Sequence, residues 1–371
     1  LEEGPERLAE LLALIDGAKR SLRLLYYIYA DDEAGRAVNT GLLRAAARGV
    51  NVRLIVDGFG SDSADDHDHD FFNRLEVGGV SVCRFTPRFG RRYLLRNHQK
   101  LALADGEAGE GATIIIGGFN VETDYFAPEA VRAWRDLGLR MTGPKAAQMT
   151  GYFDALDDWV RTGEAPVKDL NRELAKWSDR EGTLRWLIGG PTRRLSPWAR
   201  TVRDDMRRGK RIDIVAGYFT PSPRMLRRLD KASVRHHHVR VITAAKSDNR
   251  TTIAAARFTY AGLLKKGVRI YEYGRAKLHT KLYVIDDTVQ IGSANFDMRS
   301  LYLNLELMLR IDDPAFAAHA RRYVDGEAEH SHHITPAYYR EHINWWERVK
   351  QFGAYLLIAV IDPGVSRGVN G

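Results

Sequence analysis

The sequence predicts an α/β protein made of two similar halves, each a mostly parallel β-sheet flanked by helices, packed about a pseudo-two-fold axis within one chain. Two observations carry this expectation. The chain repeats its own order of elements, and apolar runs of strand length alternate with segments of helical periodicity. With 371 residues, 44% of them hydrophobic, it is long enough to bury a core in each half.

The first copy opens with "GAKRSLRLLYYIYADD" (17 to 32), a basic turn running into an apolar strand, and the second with "RGKRIDIVAGYFTPSP" (208 to 223). Helical patterns follow: "DEAGRAVNTGLLRAAARG" (32 to 49), which closes on a glycine, and "PRMLRRLDKA" (223 to 232). Next, "RGVNVRLIVDGFGSD" pairs with "HHHVRVITAAKSDN", and "GGVSVCRF" with "GVRIYEY". Each copy then reaches a histidine-lysine-aspartate run, "NHQKLALAD" (97 to 105) or "LHTKLYVIDD" (278 to 287), followed by "TIIIGGFN" or "TVQIGSANF". The organisation that follows is a first half over 1–162, a polar connection with Gly and Pro over 163–200, a second half over 201–335, and a C-terminal helical tail over 336–371.

Charge and composition bound the partners. Lys and Arg number 56 against 48 Asp and Glu, a net charge of +8 that favours anionic partners: nucleic acid, an acidic membrane surface or a phosphorylated substrate. One cysteine, Cys83, excludes an intrachain disulfide framework and a cysteine-based zinc site. No run approaches the roughly 18 to 20 continuous apolar residues of a spanning helix, and no signal-peptide pattern opens the chain. It starts at Leu1 without a methionine, which leaves room for an earlier segment, an anchor included.

The duplicated run carries the chemistry. On a strand, residues i and i+2 face one side, so His98 with Lys100, and His279 with Lys281, are expected to project together. The ammonium favours a neutral imidazole, the form a nucleophile requires, and supplies charge for an anion. Asp105 and Asp286 close the strands, as partners for a lysine or for backbone donors. Gly118 and Ser293 stand in segments where backbone can approach a ligand, and Asn120 and Asn295 offer amide donors to phosphate oxygens. Two histidines, two lysines and two asparagines meeting at a pseudo-two-fold axis suit a phosphodiester, one imidazole attacking phosphorus and the other protonating the leaving alcohol. A single such run on a strand is ordinarily just an edge or core segment; its repetition, with an asparagine following each time, gives it weight.

A His-x-Lys with an aspartate beyond it, then Gly-Gly or Gly-Ser and an asparagine, present twice, resembles the phospholipase D superfamily. The flanking text "WRDLGLRMTGP" and "GSANFDMRSLYLNLE" is similar to bacterial cardiolipin synthases. The resemblance implies a two-step phosphatidyl transfer through a phosphohistidine, with no cofactor and no metal. It points to His98 as nucleophile and His279 as general acid and base, with Lys100, Lys281, Asp105 and Asp286 in the catalytic set. Asp136 and Glu306 match carboxylates that orient the histidines. The donor, and for cardiolipin synthesis the acceptor, is the anionic lipid phosphatidylglycerol. Because one chain holds both copies, a monomer suffices for catalysis. Hydrolysis to phosphatidic acid is the alternative within the superfamily; nucleic-acid phosphodiester cleavage is the alternative outside it, though no arginine-rich stripe interleaved with aromatics is visible and no nucleic-acid partner is expected. A non-catalytic lipid-binding scaffold is disfavoured by the two intact motif copies.

Three further segments stand out. "SDSADDHDHD" (61 to 70) gathers Asp62, Asp65, Asp66, Asp68 and Asp70 around His67 and His69, and reads as a solvated loop rather than a metal site, since no fixed ligand spacing is present. "RHHH" (235 to 238) reads as the start of a strand. In "NWWERVKQFGAYLLIAVIDPG" (344 to 364), Trp345, Trp346, Val349 and Phe352 recur at near-helical spacing beside Arg348 and Lys350. The apolar part is too short to span a bilayer, so the tail is expected either to dock on the protein or to lie on the membrane surface; its aromatic and basic residues favour the membrane, where it would hold the protein as a peripheral component, at a bacterial inner membrane or from the cytoplasm.

Overall fold

The computed structural model describes residues 1–61, 70–86, 95–129, 133–163, 166–192, 195–221, 223, 225–227, 229 and 238–361. Its first sheet is built from β1 (Ser21–Tyr26), β2 (Asn51–Asp57), β3 (Ser81–Phe85), β4 (Leu101–Ala104), β5 (Thr113–Gly117) and, after the two-residue β6 (Trp134–Arg135), β7 (Gly138–Thr142), in the order β3-β2-β1-β4-β5-β7. The second contains β8 (Leu184–Gly189), β9 (Arg211–Ala216), β11 (His238–Ala244), β12 (Arg269–Tyr273), β14 (Lys281–Ile285), β15 (Thr288–Gly292), β17 (Glu306–Asp312) and β18 (Ser331–Ile334), in the order β18-β12-β11-β9-β14-β15-β17-β8. The short strands β10 (Phe219–Thr220), β13 (Lys277–Leu278) and β16 (Phe296–Asp297) pair outside these sheets. Without β18 and β8, the second order repeats the first position for position.

Strands joined through helices pair in parallel, β1–β2–β3 in one half and β9–β11–β12 in the other. From the motif strands onward the pairing is antiparallel, β4–β5–β7 in one half and β14–β15–β17 in the other, with a tight turn between β14 and β15 and longer excursions leading into β7 and β17. Parallel pairing thus belongs to the crossover part of each half, and each sheet as a whole is mixed. Residues 163–200, read in the sequence as a connection outside the repeat, instead contribute the helix Val167–Trp177 and the edge strand β8, which pairs with β17. The boundary between halves therefore lies ahead of β8 in architecture, although the repeat resumes only later.

Alternate side chains explain the layering. In β1, Leu22, Leu24 and Tyr26 enter a core under the helices Gly4–Gly17 and Glu33–Ala47, while Leu25 faces the other way. That opposite face merges with Val215, Leu282, Val284, Leu307 and Leu309 of the second sheet into one core shared by both halves. A third core, including Trp198 and Tyr283, covers the outer face of the second sheet. Strands buried on both faces are apolar almost throughout, and each fully buried Leu or Ile contributes roughly 1.5–3 kcal/mol. The halves are thus welded face to face, and the C-terminal ends of the parallel strands meet at one place.

Candidate active site

Two cross-connections between the halves build the site. Asn97 forms a parallel bridge with Leu305, and the His98 N–H donates to the Leu305 carbonyl at 3.0 Å. The next residue on each side is then His98 and Glu306. In the same way β13 pairs in parallel with β6, Leu278 opposite Arg135, and the His279 N–H donates to the Arg135 carbonyl at 2.8 Å, setting His279 beside Asp136. Each histidine is braced by a carboxylate of the other half: Nδ1 of His98 lies 3.1 Å from both oxygens of Glu306, and Nδ1 of His279 lies 2.6 Å from Asp136 Oδ2.

A carboxylate accepts, so Nδ1 carries the ring proton and Nε2 keeps its lone pair. Ser293 and Ser300 donate their hydroxyls to Glu306, and the Leu137 N–H donates to Asp136. Burial would raise the Asp136 carboxyl, but Lys281 and His279 hold it below the ordinary carboxylate range. Burial is the first cause that lowers both histidines, with Glu306 opposing it at His98; His279 is brought down to about 3. Both imidazoles are therefore neutral near pH 7. Lys100 and Lys281 add to this effect as the motif spacing predicts, but desolvation contributes more.

Lys100 and Lys281 are almost wholly buried, and each folds back to donate to the backbone carbonyl of its own motif histidine. Burial lowers Lys281 to about 8 and Lys100 well below its usual value. Of the four paired residues only Lys281 sits on a strand, as the first residue of β14; β4 begins at Leu101, just after Lys100, and His279 occupies the gap between β13 and β14. Tyr27 packs on His98 with ring centres 5.2 Å apart, and Tyr125 and Trp134 pack on His279 at 5.2 and 5.3 Å. His98, His279, Asn120 and Asn295 line one cavity of about 620 Å³.

Several expected residues fall elsewhere. Asp105 and Asp286 stand at the far ends of β4 and β14, each in the left-handed backbone region. Asp105 accepts from the backbone N–H groups of Lys19, Arg20 and Ser21, and Asp286 from those of Lys210 and Arg211. They fasten the start of β1 and β9 and are not among the residues lining the cavity. Gly118 and Ser293 do not line it either. A Cβ on Gly118 would come within 2.5 Å of Asp136 Oδ1, and the Ser293 hydroxyl is spent on Glu306. Both support the orienting carboxylates, where phosphate contact was expected.

Asp57 was missed by sequence reasoning: it accepts the Asn97 N–H at 2.8 Å and those of Phe59 and Gly60, fixing the segment that leads into His98. Ser300 was missed too, and only its closeness to Glu306 in "DMRSLYLNLE" hinted at it. Asp62, Asp65, Asp66, His67, Asp68 and His69 lie outside the described residues, as do 235 to 237 of "RHHH"; Asp70 pairs with Arg74, and His238 begins β11. Among the described residues, no group of three His, Cys, Asp or Glu side chains is placed to hold a metal ion, and no helix is long and apolar enough to cross a membrane.

Two like halves closing on a pair of cross-braced histidines define an enzyme of the phospholipase D type. The family described as cardiolipin synthase, phospholipase D-like domain, matches residues 11–157 and 203–327, and the chain belongs to this family of phosphatidyltransferases. Cardiolipin synthase 1 of Bacillus cereus is 29% identical over 349 residues, which are 90% of this chain and 67% of that protein. Cardiolipin synthase A of Pseudomonas aeruginosa is also 29% identical, over 91% of this chain and 68% of that one. Among solved structures, phosphatidylserine synthase of Haemophilus influenzae Rd KW20 superposes with a TM-score of 0.70 over 96% of this chain and 92% of that chain, at 15% identity, which shows the shared fold.

Proposed function

We propose that the chain makes cardiolipin, moving a phosphatidyl group from one phosphatidylglycerol to another through a phosphohistidine. The cross-braced histidines carry this reading: each carboxylate fixes Nδ1–H and leaves Nε2 for phosphorus or for a proton. Nε2 of His98 attacks phosphorus, the bond from phosphorus to the glycerol oxygen breaks, and His279 gives that oxygen its proton. The bound phosphodiester supplies the negative charge that favours the imidazolium of His279. In the second step neutral His279 takes the proton of the incoming hydroxyl, its oxygen bonds to phosphorus, and the P–N bond breaks. Lys100 and Lys281, buried behind the cavity lining against the carbonyls of His98 and His279, add positive charge that favours the phosphoryl group, and Asn120 and Asn295 line the cavity itself. A monomer contains all of these groups.

The tail supports a peripheral seat on the bilayer. Trp345, Trp346, Val349 and Phe352 of the helix Trp345–Tyr355 are each half exposed or more, while Tyr355 is buried and donates to the Pro221 carbonyl. Ile358, just beyond the helix, is among the residues lining the cavity, so the end of the tail reaches the site. Aromatic rings with Arg348 and Lys350 suit the interface of an anionic membrane, with a bacterial inner membrane as its location.

The test is incubation with phosphatidylglycerol vesicles, beside His98→Ala and His279→Ala, with lipids resolved by mass spectrometry. Cardiolipin and glycerol from the parent chain and from neither variant is the expected result. Phosphatidic acid alone, or no lipid turnover, overturns it.

A further inference from the structure

The cavity is lined by both basic and acidic side chains, and the repeat does not account for them. Arg96, whose guanidinium sits 4.6 Å from the centre of the Phe59 ring, and Arg299 line it. So do the acceptors Asp248, Asn295 and Asp297. Tyr218 stands edge-on to His279 with ring centres 6.2 Å apart and donates its hydroxyl to Asp248 Oδ1 at 2.7 Å; the Ser247 hydroxyl donates to the same oxygen at 2.8 Å. In the parallel pairing of β10 with β16, Phe219 lies opposite Phe296, which sets Asn295 beside Tyr218.

Asn295 breaks the internal symmetry. Its counterpart Asn120 is engaged at both ends: Oδ1 accepts the Ile28 N–H, and Nδ2 donates to the Tyr125 hydroxyl, each at 3.1 Å. Asn295 is equally buried, 3% exposed, yet its Oδ1 has no hydrogen-bond partner among the described residues. Asn295 is among the residues lining the cavity, and a buried acceptor without a partner calls for a donor. Carboxylate and amide oxygens repel phosphate and receive O–H groups, and Asp248 already receives two.

We propose that Asp248 and Asn295, with Tyr218 holding Asp248 in place, form the subsite for the headgroup alcohol, a polyol whose spare hydroxyl donates to these oxygens. The inference rests on the phosphatidyl-transfer reading and deepens it. The alcohol enters and leaves beside Tyr218 and His279, while the phosphatidyl group stays on His98. Asn295 Nδ2 remains available to a phosphoryl oxygen. Asp248 is then a specificity-determining residue, exposed at the rim.

The experiment is a competition on phosphatidylglycerol vesicles between deuterated glycerol, 1-propanol and ethanolamine at equal concentration, read by mass spectrometry for the parent chain, Asp248→Asn and Tyr218→Phe. The parent chain is expected to favour glycerol over 1-propanol. Asp248→Asn is expected to lower that preference about tenfold, the scale of one hydrogen bond to a charged group; Tyr218→Phe is expected to lower it less. An unchanged preference in Asp248→Asn, a parent preference for ethanolamine, or loss of phosphatidylpropanol in Asp248→Asn overturns the subsite while leaving transfer itself standing. A parent chain that labels lipid with none of the alcohols overturns the transfer reading and the subsite with it.

Discussion

Glu306 meets Nδ1 of His98 at 3.1 Å across 208 residues of sequence, from the opposite half of the molecule. The bridge of Asn97 to Leu305, one residue earlier, holds the two in register. Removing the charge while keeping the shape tests what the contact does. Glu306→Gln and Asp136→Asn are each expected to lower kcat by about 10²- to 10⁴-fold, the range of positioned acid–base groups, with KM changed far less. Steady-state kinetics on vesicles, with circular dichroism to confirm the fold, is the check; a variant with parent kcat would remove the orienting role.

Buried neutral histidines predict an acid-sensitive fold. His279 is held at about 3, below its ordinary 6.5, so between these values the unfolded chain binds a proton that the folded one refuses. Its contribution is therefore lost as pH falls from about 6.5 toward 3. Asp297, raised by burial to about 6, acts with the opposite sign between 3.8 and 6 and makes the parent curve shallower. Comparing His279→Asn with the parent by urea unfolding from pH 4 to 6.5 isolates the histidine. The variant should lack up to ~1.4 kcal/mol of stability change per pH unit; equal slopes would contradict the neutral, buried state.

Gly118 is needed for space rather than for a left-handed backbone. A Cβ there would meet both Asp136 oxygens, at 2.5 and 2.8 Å, and Lys281 Cδ at 2.9 Å. Gly118→Ala is expected to displace Asp136 and lower kcat by about 10²-fold, as a shift near 1 Å in a catalytic group can do. Ser293→Ala, at the matching position of the second half, removes a hydroxyl from Glu306 and is expected to cost less. Activity of Gly118→Ala equal to the parent would show that the site yields without loss.

Asp105 is expected to act on stability and not on turnover. Its carboxylate gathers three backbone N–H groups while its own φ is 51°. Asp105→Ala loses the acceptor and places alanine in a left-handed conformation, a cost of about 2–4 kcal/mol. Asn tolerates that region and keeps one oxygen, so Asp105→Asn should lose less. Thermal unfolding measures both, and kcat of the folded fraction should match the parent.

The tail is best tested by substitution. Phe352 and Tyr355 pack on Phe258 of the helix Arg250–Lys265, with ring centres 5.3 and 5.0 Å apart, so cutting the chain near residue 340 would uncover that surface. Replacing Trp345 and Trp346 with Ser is expected to leave the melting temperature within about a degree, since exposed positions contribute little, and to weaken sedimentation with phosphatidylglycerol vesicles at least tenfold. Equal sedimentation would place membrane contact elsewhere.

The sequence by itself determined the duplication, the order of strands in both halves, and the paired histidines, lysines and asparagines, because strand periodicity and motif spacing are local and appear twice. It even marked Asp136 and Glu306 through their flanking text. Only the tertiary structure decided that each carboxylate meets the histidine of the other half, that the lysines turn back onto their own motif, and that Asp105 and Asp286 fasten the starts of β1 and β9. Self-likeness reports what each half contains and is silent on how the halves meet. That register comes from two parallel bridges, Asn97 with Leu305 and Leu278 with Arg135, formed between segments remote in sequence once the inward faces of both sheets are buried together.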